Sequence, residues 1–201
     1  MKRGFDIGAS TLGLAVLSPL LLGIAVSVRC TSPGPALYRQ QRLGRNGKPF
    51  MMLKFRSMLT GSESVSAWTV RNDPRRTDLG IWLRRFSLDE LPQLINVFRG
   101  DMSLVGPRPE QPCIAAEFQE CIPDYAKRYQ VRPGITGLAQ VNGFRGDTSI
   151  EARTSYDLRY IEKWTLGLDA KILFRTLFGG MINKQEYPEL EKEAGKGRYH
   201  Q

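Results

Sequence analysis

The first hydrophobic pattern in the chain is also its longest. From Ile7 to Val28 no residue is charged, over a length that could cross a bilayer as a helix. Ser18-Pro19 interrupts the run near its middle, where a proline removes a backbone hydrogen bond and predicts a kink or break. A cleavable signal peptide does not fit, since the run is long and no small-residue cleavage site introduces a secreted-type sequence. Lys2 and Arg3 precede the run, and Arg29, Arg39, Arg42, Arg45 and Lys48 follow it. Both flanks therefore prefer the same, cytoplasmic side. A plain spanning helix satisfies one flank only; a re-entrant hairpin broken at Ser18 and Pro19 satisfies both. Thr31-Ser32-Pro33-Gly34-Pro35 ends the segment with turn chemistry.

Beyond it the period changes. Ala36 to Gln40 and Pro49 to Phe55 read as strands around Gly44-Arg45-Asn46-Gly47-Lys48, where Asn-Gly is a hairpin signal. Residues 59–77 are polar and read as a loop or lid, with Trp68 suited to a membrane interface. A helical pattern covers about 78–98 and stops at Gly100. A polar-faced helix with a break at Pro123 follows over 110–128, then a charged helix over 149–160. The last helix, about 168–181, is apolar at Ile172, Leu173, Phe174, Leu177 and Phe178 and basic at Lys171 and Arg175. Such a helix packs in a core or lies in a membrane interface.

Inside the 78–98 pattern sits Ser87-Leu88-Asp89-Glu90-Leu91-Pro92-Gln93-Leu94, with two adjacent carboxylates among apolar residues. Burying ionised carboxylates costs several kcal/mol unless cations or donors compensate, so the pair suggests a metal or a cationic substrate cradle. The same residues also read as a helix start, with Ser87 as N-cap and Glu90 closing a capping box. The readings are compatible, because a helix N-terminus also favours phosphate.

Charge and composition narrow the chemistry. The net charge of +9 over 201 residues calls for an acidic partner: nucleic acid, anionic lipid or a phosphorylated small molecule. Cys30, Cys113 and Cys121 have no metal-ligand spacing, and their odd number argues against a disulfide framework. The single histidine, His200, stands beside the C-terminus, which removes Ser-His-Asp, Cys-His and histidine-zinc chemistry. What remains is carboxylates, arginines, lysines and an oxygen-liganded metal. Arg108, between Pro107 and Pro109, and Arg132, before Pro133-Gly134, sit in rigid turns that aim a guanidinium at phosphate.

Taken together these residues resemble the bacterial sugar transferases, the monotopic polyprenyl-phosphate phosphoglycosyl transferases. The resemblance is carried by Lys2-Arg3 with Phe5-Asp6, Leu17-Ser18-Pro19, Gln41-Arg42-Leu43-Gly44 and Lys54-Phe55-Arg56-Ser57-Met58. It continues through Leu88-Asp89-Glu90-Leu91-Pro92-Gln93, Gly100-Asp101-Met102-Ser103, Val105-Gly106-Pro107-Arg108-Pro109 and Arg132-Pro133-Gly134-Ile135-Thr136-Gly137-Leu138. It covers residues 1 to about 181 and looks like the family's minimal form, without extra N-terminal transmembrane helices.

The resemblance implies transfer of a sugar-1-phosphate from a UDP-sugar to undecaprenyl (polyprenyl) phosphate, releasing UMP. Asp89 would be the nucleophile, forming a covalent aspartyl-phosphosugar intermediate, and Glu90 would help bind Mg²⁺. Lys54, Arg85, Arg108, Arg132 and Arg145 are the candidates for binding phosphates, any of which could instead be a surface charge. The expected fold is α+β and mostly helical. A re-entrant (kinked) membrane helix occupies 1–30. A catalytic domain at 31–182 sets a small β-hairpin and interfacial amphipathic helices around a cytoplasmic active site, and a mobile charged tail follows at 183–201. The expected location is the cytoplasmic face of a bacterial inner membrane, with membrane lipids as partners, no nucleic acid, and a homodimer as an open option.

Asn142 to Thr148, with Arg153, Tyr156-Asp157 and Tyr160 to Trp164, resembles the exopolysaccharide-initiating branch that uses UDP-glucose or UDP-galactose. A hexose is thereby favoured over an acetamido sugar. Two rivals remain at this stage: a membrane-anchored basic module for nucleic acid or anionic lipid, and a metal-dependent nucleotide-sugar hydrolase.

Overall fold

A computed structural model describes residues 1–59, 75–146 and 148–180. The expected lid over 59–77, Trp68 included, lies largely outside the described residues, as do Asp147 and the expected tail with His200. The lid's two ends nonetheless meet, in a bridge between Met58 and Arg76.

Helix α1 spans Lys2–Thr31, with Pro19 inside it. The helix-break-helix expected at Ser18 and Pro19 is corrected in one respect: helical conformation continues through both residues. Pro19 has no N–H for the carbonyl of Ala15, and the Ser18 hydroxyl donates to that carbonyl instead, at 2.8 Å. The lost main-chain bond is replaced locally, so the helix persists.

Both ends of α1 are tied to the same body. At its start, Asp6 accepts from the Ser103 hydroxyl and the Leu104 N–H, both at 3.0 Å. Arg3 donates to the carbonyls of Val97 and Phe98. Lys2 pairs with Asp169. At its end, Ile24 and Val28 join Phe55 and Leu83 in a buried cluster. The Arg56 guanidinium there donates to the carbonyls of Val28, Ser32 and Pro33. The boundary drawn at residue 30 is thus not a boundary in packing. Between the ends, Phe5, Ile7, Leu12, Val16, Leu20, Leu22 and Val26 stay exposed, and the helix is long and apolar enough to cross a membrane.

Strands β1 (Leu37–Leu43) and β2 (Pro49–Phe55) form the expected antiparallel hairpin, with Leu43 opposite Pro49. Asn46 and Gly47 make its turn at φ +57° and +69°. Helix α2 (Asp78–Arg85) is capped by the Thr77 hydroxyl, which accepts from Gly80 N–H at 3.0 Å. A single helix over 78–98 was expected, and the structure divides it. A 3-10 turn covers Leu88–Glu90, and α3 (Gln93–Arg99) starts after Pro92. Ser87 is no N-cap, having left-handed φ +57° and no side-chain capping bond. A helix begun at Leu88 would need an N–H at position 92, which proline lacks. Gly100 ends α3 as expected, at φ +97°.

Asn96 on α3 works as a surrogate third strand. Its amide donates to Met51 O and accepts from Leu53 N–H. Strand β3 (Ser103–Val105) pairs in parallel with β4 (Gly134–Thr136), joining two turns that the sequence presented separately. Helices α4 (Pro112–Cys121), α5 (Leu138–Val141), α6 (Ile150–Glu162) and α7 (Leu166–Arg175) complete the body, α7 continuing as a π-turn over 176–180. The α+β, mostly helical expectation holds.

The β3–β4 pair depends on the absence of a side chain at Gly134. A Cβ there would stand 2.1 Å from Gly106 N and 2.4 Å from Thr136 O, both backbone atoms. Gly134→Ala is expected to cost about 3 kcal/mol, a fall in Tm of roughly 6–12 °C. A melting temperature unchanged from wild type in a thermal unfolding scan would contradict this packing.

Candidate active site

The Leu88–Glu90 turn delivers two carboxylates into the body; Asp89 and Glu90 are each 6% exposed. Three cations from three separate segments converge on Glu90. Lys54 of β2 reaches Oε1 at 3.0 Å, and Arg108 reaches Oε1 at 2.8 Å and Oε2 at 3.4 Å. Arg145 reaches Oε2 at 3.2 Å. Four contacts match the four lone-pair sites of one carboxylate. The β3–β4 pairing carries the Pro107-Arg108-Pro109 turn to this place, with Gly134 N–H bonded to Pro107 O at 2.9 Å.

The two neighbouring acids titrate in opposite directions. Burial pushes Asp89 up from the ordinary value of 3.8, and the adjacent Glu90 charge adds to the rise against Lys54, Arg84 and Arg145. Burial alone would raise Glu90 too, but the Arg108 guanidinium, then Lys54 and Arg145, hold it well below 4.5. Burial also lowers Lys54, which the Glu90 charge opposes. Glu90 is therefore an anion held by its cations, while Asp89 is the more basic carboxylate of the pair.

Of the five phosphate-binding candidates, Lys54, Arg108 and Arg145 meet at Glu90. Arg85 and Arg132 do not join that cluster. Arg85 is exposed and lies over the rings of Trp82 and Phe86. Its neighbour Arg84 is the one whose charge acts on Asp89, together with Lys54 and Arg145. On α2, Gly80, Leu83 and Arg84 lie on the inward face, whereas Arg85 shares the outward face with Ile81 and Trp82. Arg132 donates to Gly100 O at 2.8 Å and closes the end of α3. Its charge satisfies an orphan carbonyl there.

Asp89 and Glu90 offer oxygen donors of the hard type that Mg²⁺ prefers. No group of three His, Cys, Asp or Glu suited to a metal occurs among the described residues. With the Glu90 oxygens already met by Lys54, Arg108 and Arg145, an ion here would have to displace one of these cations and be completed by substrate phosphates rather than caged by protein.

The bacterial sugar transferase family model matches residues 1–183. The UDP-glucose:undecaprenyl-phosphate glucose-1-phosphate transferase of Escherichia coli (strain K12) is 47% identical over 192 residues, 93% of this chain and 41% of its own length. The protein of the same description from Caulobacter vibrioides is 48% identical over 181 residues, 88% of this chain and 68% of its own. The exopolysaccharide production protein PSS of Rhizobium leguminosarum bv. phaseoli is 45% identical over 186 residues, 88% of this chain and 93% of its own. This chain thus spans less than half of the E. coli relative and nearly all of the Rhizobium one.

Proposed function

The chain belongs to the bacterial sugar transferase family, and from that premise we propose that it moves a sugar-1-phosphate from a UDP-sugar to undecaprenyl phosphate. The observation that carries the reading is the basic, buried Asp89 beside a Glu90 that gathers Lys54, Arg108 and Arg145.

In the proposed reaction an Asp89 carboxylate oxygen attacks the β-phosphorus of the UDP-sugar. The phosphoanhydride bond breaks, and UMP leaves with the bonding electron pair. A phosphate oxygen of the polyprenyl phosphate then attacks the aspartyl-phosphosugar, expelling the carboxylate and forming a lipid diphosphate-sugar. Lys54, Arg108 and Arg145 stabilise charge on the transferred phosphoryl group. Arg84 favours the ionised form of Asp89. Glu90 would hold Mg²⁺, which when bound adds positive charge at the diphosphate oxygens.

The exposed apolar side of α1, fastened at both ends to one body, supports a re-entrant seat in the membrane with this site on its cytoplasmic face. Glucose is the proposed sugar, from the names of the E. coli and Caulobacter relatives.

Intact-protein mass spectrometry tests the reaction. Protein, Mg²⁺ and UDP-glucose without lipid should give an adduct of one hexose phosphate, discharged by undecaprenyl phosphate. UMP release that needs the lipid and leaves no adduct would favour direct transfer. Release of free sugar phosphate would favour the hydrolase.

The pH dependence gives a further check. Asp89 must be ionised to attack, so kcat/KM should fall on the acid side with a midpoint above 3.8. Arg84→Ala removes a cation that lowers this pKa, and the acid limb should move to higher pH. Arg85→Ala should leave the midpoint in place. A limb that follows Arg85 instead would reverse the assignment.

A further inference from the structure

Behind the cations that face Glu90 lies a second, buried set of charges that the reaction does not use. Arg128, 3% exposed, donates from Nε to Asp157 at 2.8 Å and from Nη1 to the Tyr125 hydroxyl at 2.7 Å. Its Nη2 donates to the carbonyl of Arg108 at 3.0 Å. Arg153, 5% exposed, donates from Nη1 to Glu110 at 2.9 Å and from Nη2 to the carbonyl of Gly146 at 2.6 Å. Arg42 completes the set, donating to Pro109 O at 3.2 Å and pairing with Glu110 at 3.6 Å.

Each of the three arginines sends one of these contacts to the main chain of, or beside, an arginine that holds Glu90. Arg128 fixes the carbonyl of Arg108 itself, Arg42 fixes the next carbonyl, and Arg153 fixes the carbonyl after Arg145. Arg153 and Asp157 stand one turn apart on α6, so a single rigid helix governs both attachments. We propose that Arg153 and Asp157 of α6 are positioning residues that set Arg145 and Arg108 on the reacting phosphates.

Stability alone is a poor account of this layer. Replacing a buried ion pair by apolar side chains is often neutral or stabilising, and what such pairs deliver best is defined geometry. Geometry matters most where long side chains must meet a transferring phosphoryl group, since a misplacement of about 1 Å can cost on the order of 100-fold in rate. An arginine loses less freedom on binding when its backbone is already held. Arg108 is held by two flanking prolines, the buried guanidinium of Arg128 and the half-buried one of Arg42, and Arg145 by Arg153.

The test rests on the function proposed above and is a double-mutant cycle on UMP release. Lysine at 153 keeps the charge beside Glu110 but cannot also reach Gly146 O. Arg153→Lys should lower the rate by roughly 10- to 100-fold. In an Arg145→Ala background the same change should cost less than about threefold, because its target is gone. Thermal melting establishes that each variant is folded. Should Arg153→Lys fail to fold, Asp157→Asn is measured in wild-type and Arg108→Ala backgrounds, with the same expectation.

Equal factors in both backgrounds, or a wild-type rate in folded Arg153→Lys, would overturn the positioning role while leaving the function intact. Absence of UMP release by the wild-type protein with any UDP-sugar would overturn the function, and the positioning role with it.

Discussion

Asp89→Asn is expected to reduce UMP release by roughly 10⁴-fold or more and to leave no mass adduct. Asparagine has nearly the same shape as aspartate, so the turn at Leu88–Glu90 and the cations on Glu90 stay in place. What disappears is the anionic oxygen proposed as the nucleophile. Stability separates this loss from unfolding. A carboxylate whose folded pKa is raised destabilises the fold once pH exceeds that pKa, and the cost is absent below the unfolded value of 3.8. A neutral amide removes that cost at pH 7. Asp89→Asn should therefore melt at or above the wild-type temperature while being inactive. Turnover near the wild-type rate would end the nucleophile assignment, and a much lower melting temperature would assign the residue to the fold.

Arg108→Ala is expected to lower kcat/KM by on the order of 10³-fold. Arg108 alone among the three cations bonds both oxygens of Glu90, and a planar fork is the group best matched to phosphate. Its loss also leaves Glu90 with only Lys54 and Arg145 against the cost of burial. Glu90 has a depressed folded pKa, so its stabilising contribution is present above the unfolded value of 4.5 and is lost as pH falls through the folded value. With Arg108 gone the folded value moves up toward 4.5. The variant should then lose stability at a higher pH than wild type does. Arg108→Lys, which keeps the charge without the fork, should recover part of the rate and most of the acid resistance. A kcat/KM within tenfold of wild type for the alanine variant would remove Arg108 from the site.

Local chemistry made part of this molecule readable from sequence. Asn46-Gly47 permits the left-handed turn that sets the hairpin register, Gly100 stops α3, and Ser149 caps α6 through Ala152 N–H. Each device acts within a few residues of itself. Asp89, Glu90 and Arg108 could be picked out because each lies in a short motif with an odd placement of charge, whereas Lys54 and Arg145 entered as candidates only with the family resemblance. The turn carrying Asp89 was misread because a capping box is a four-residue pattern, Ser87 to Glu90, whereas the obstacle, Pro92, stands just beyond it. Arg84 was missed for Arg85 because the apolar residues of α2 occupy both faces, and only the closely packed Gly80 marks the inner one. The layer formed by Arg42, Glu110, Arg128, Arg153 and Asp157 was illegible for another reason. Its partners are separated by up to 68 residues, from Arg42 to Glu110, and a paired buried charge looks in sequence like any solvated one.

Helix α1 is not an appendage that could be cut away to release a water-soluble enzyme. Removing it would strip Ile24 and Val28 from Phe55 and Leu83, orphan the hydroxyl of Ser103, and leave Asp169 without its lysine. Segment and body form one cooperative unit, so the apolar face of α1 must be covered whenever the protein is folded.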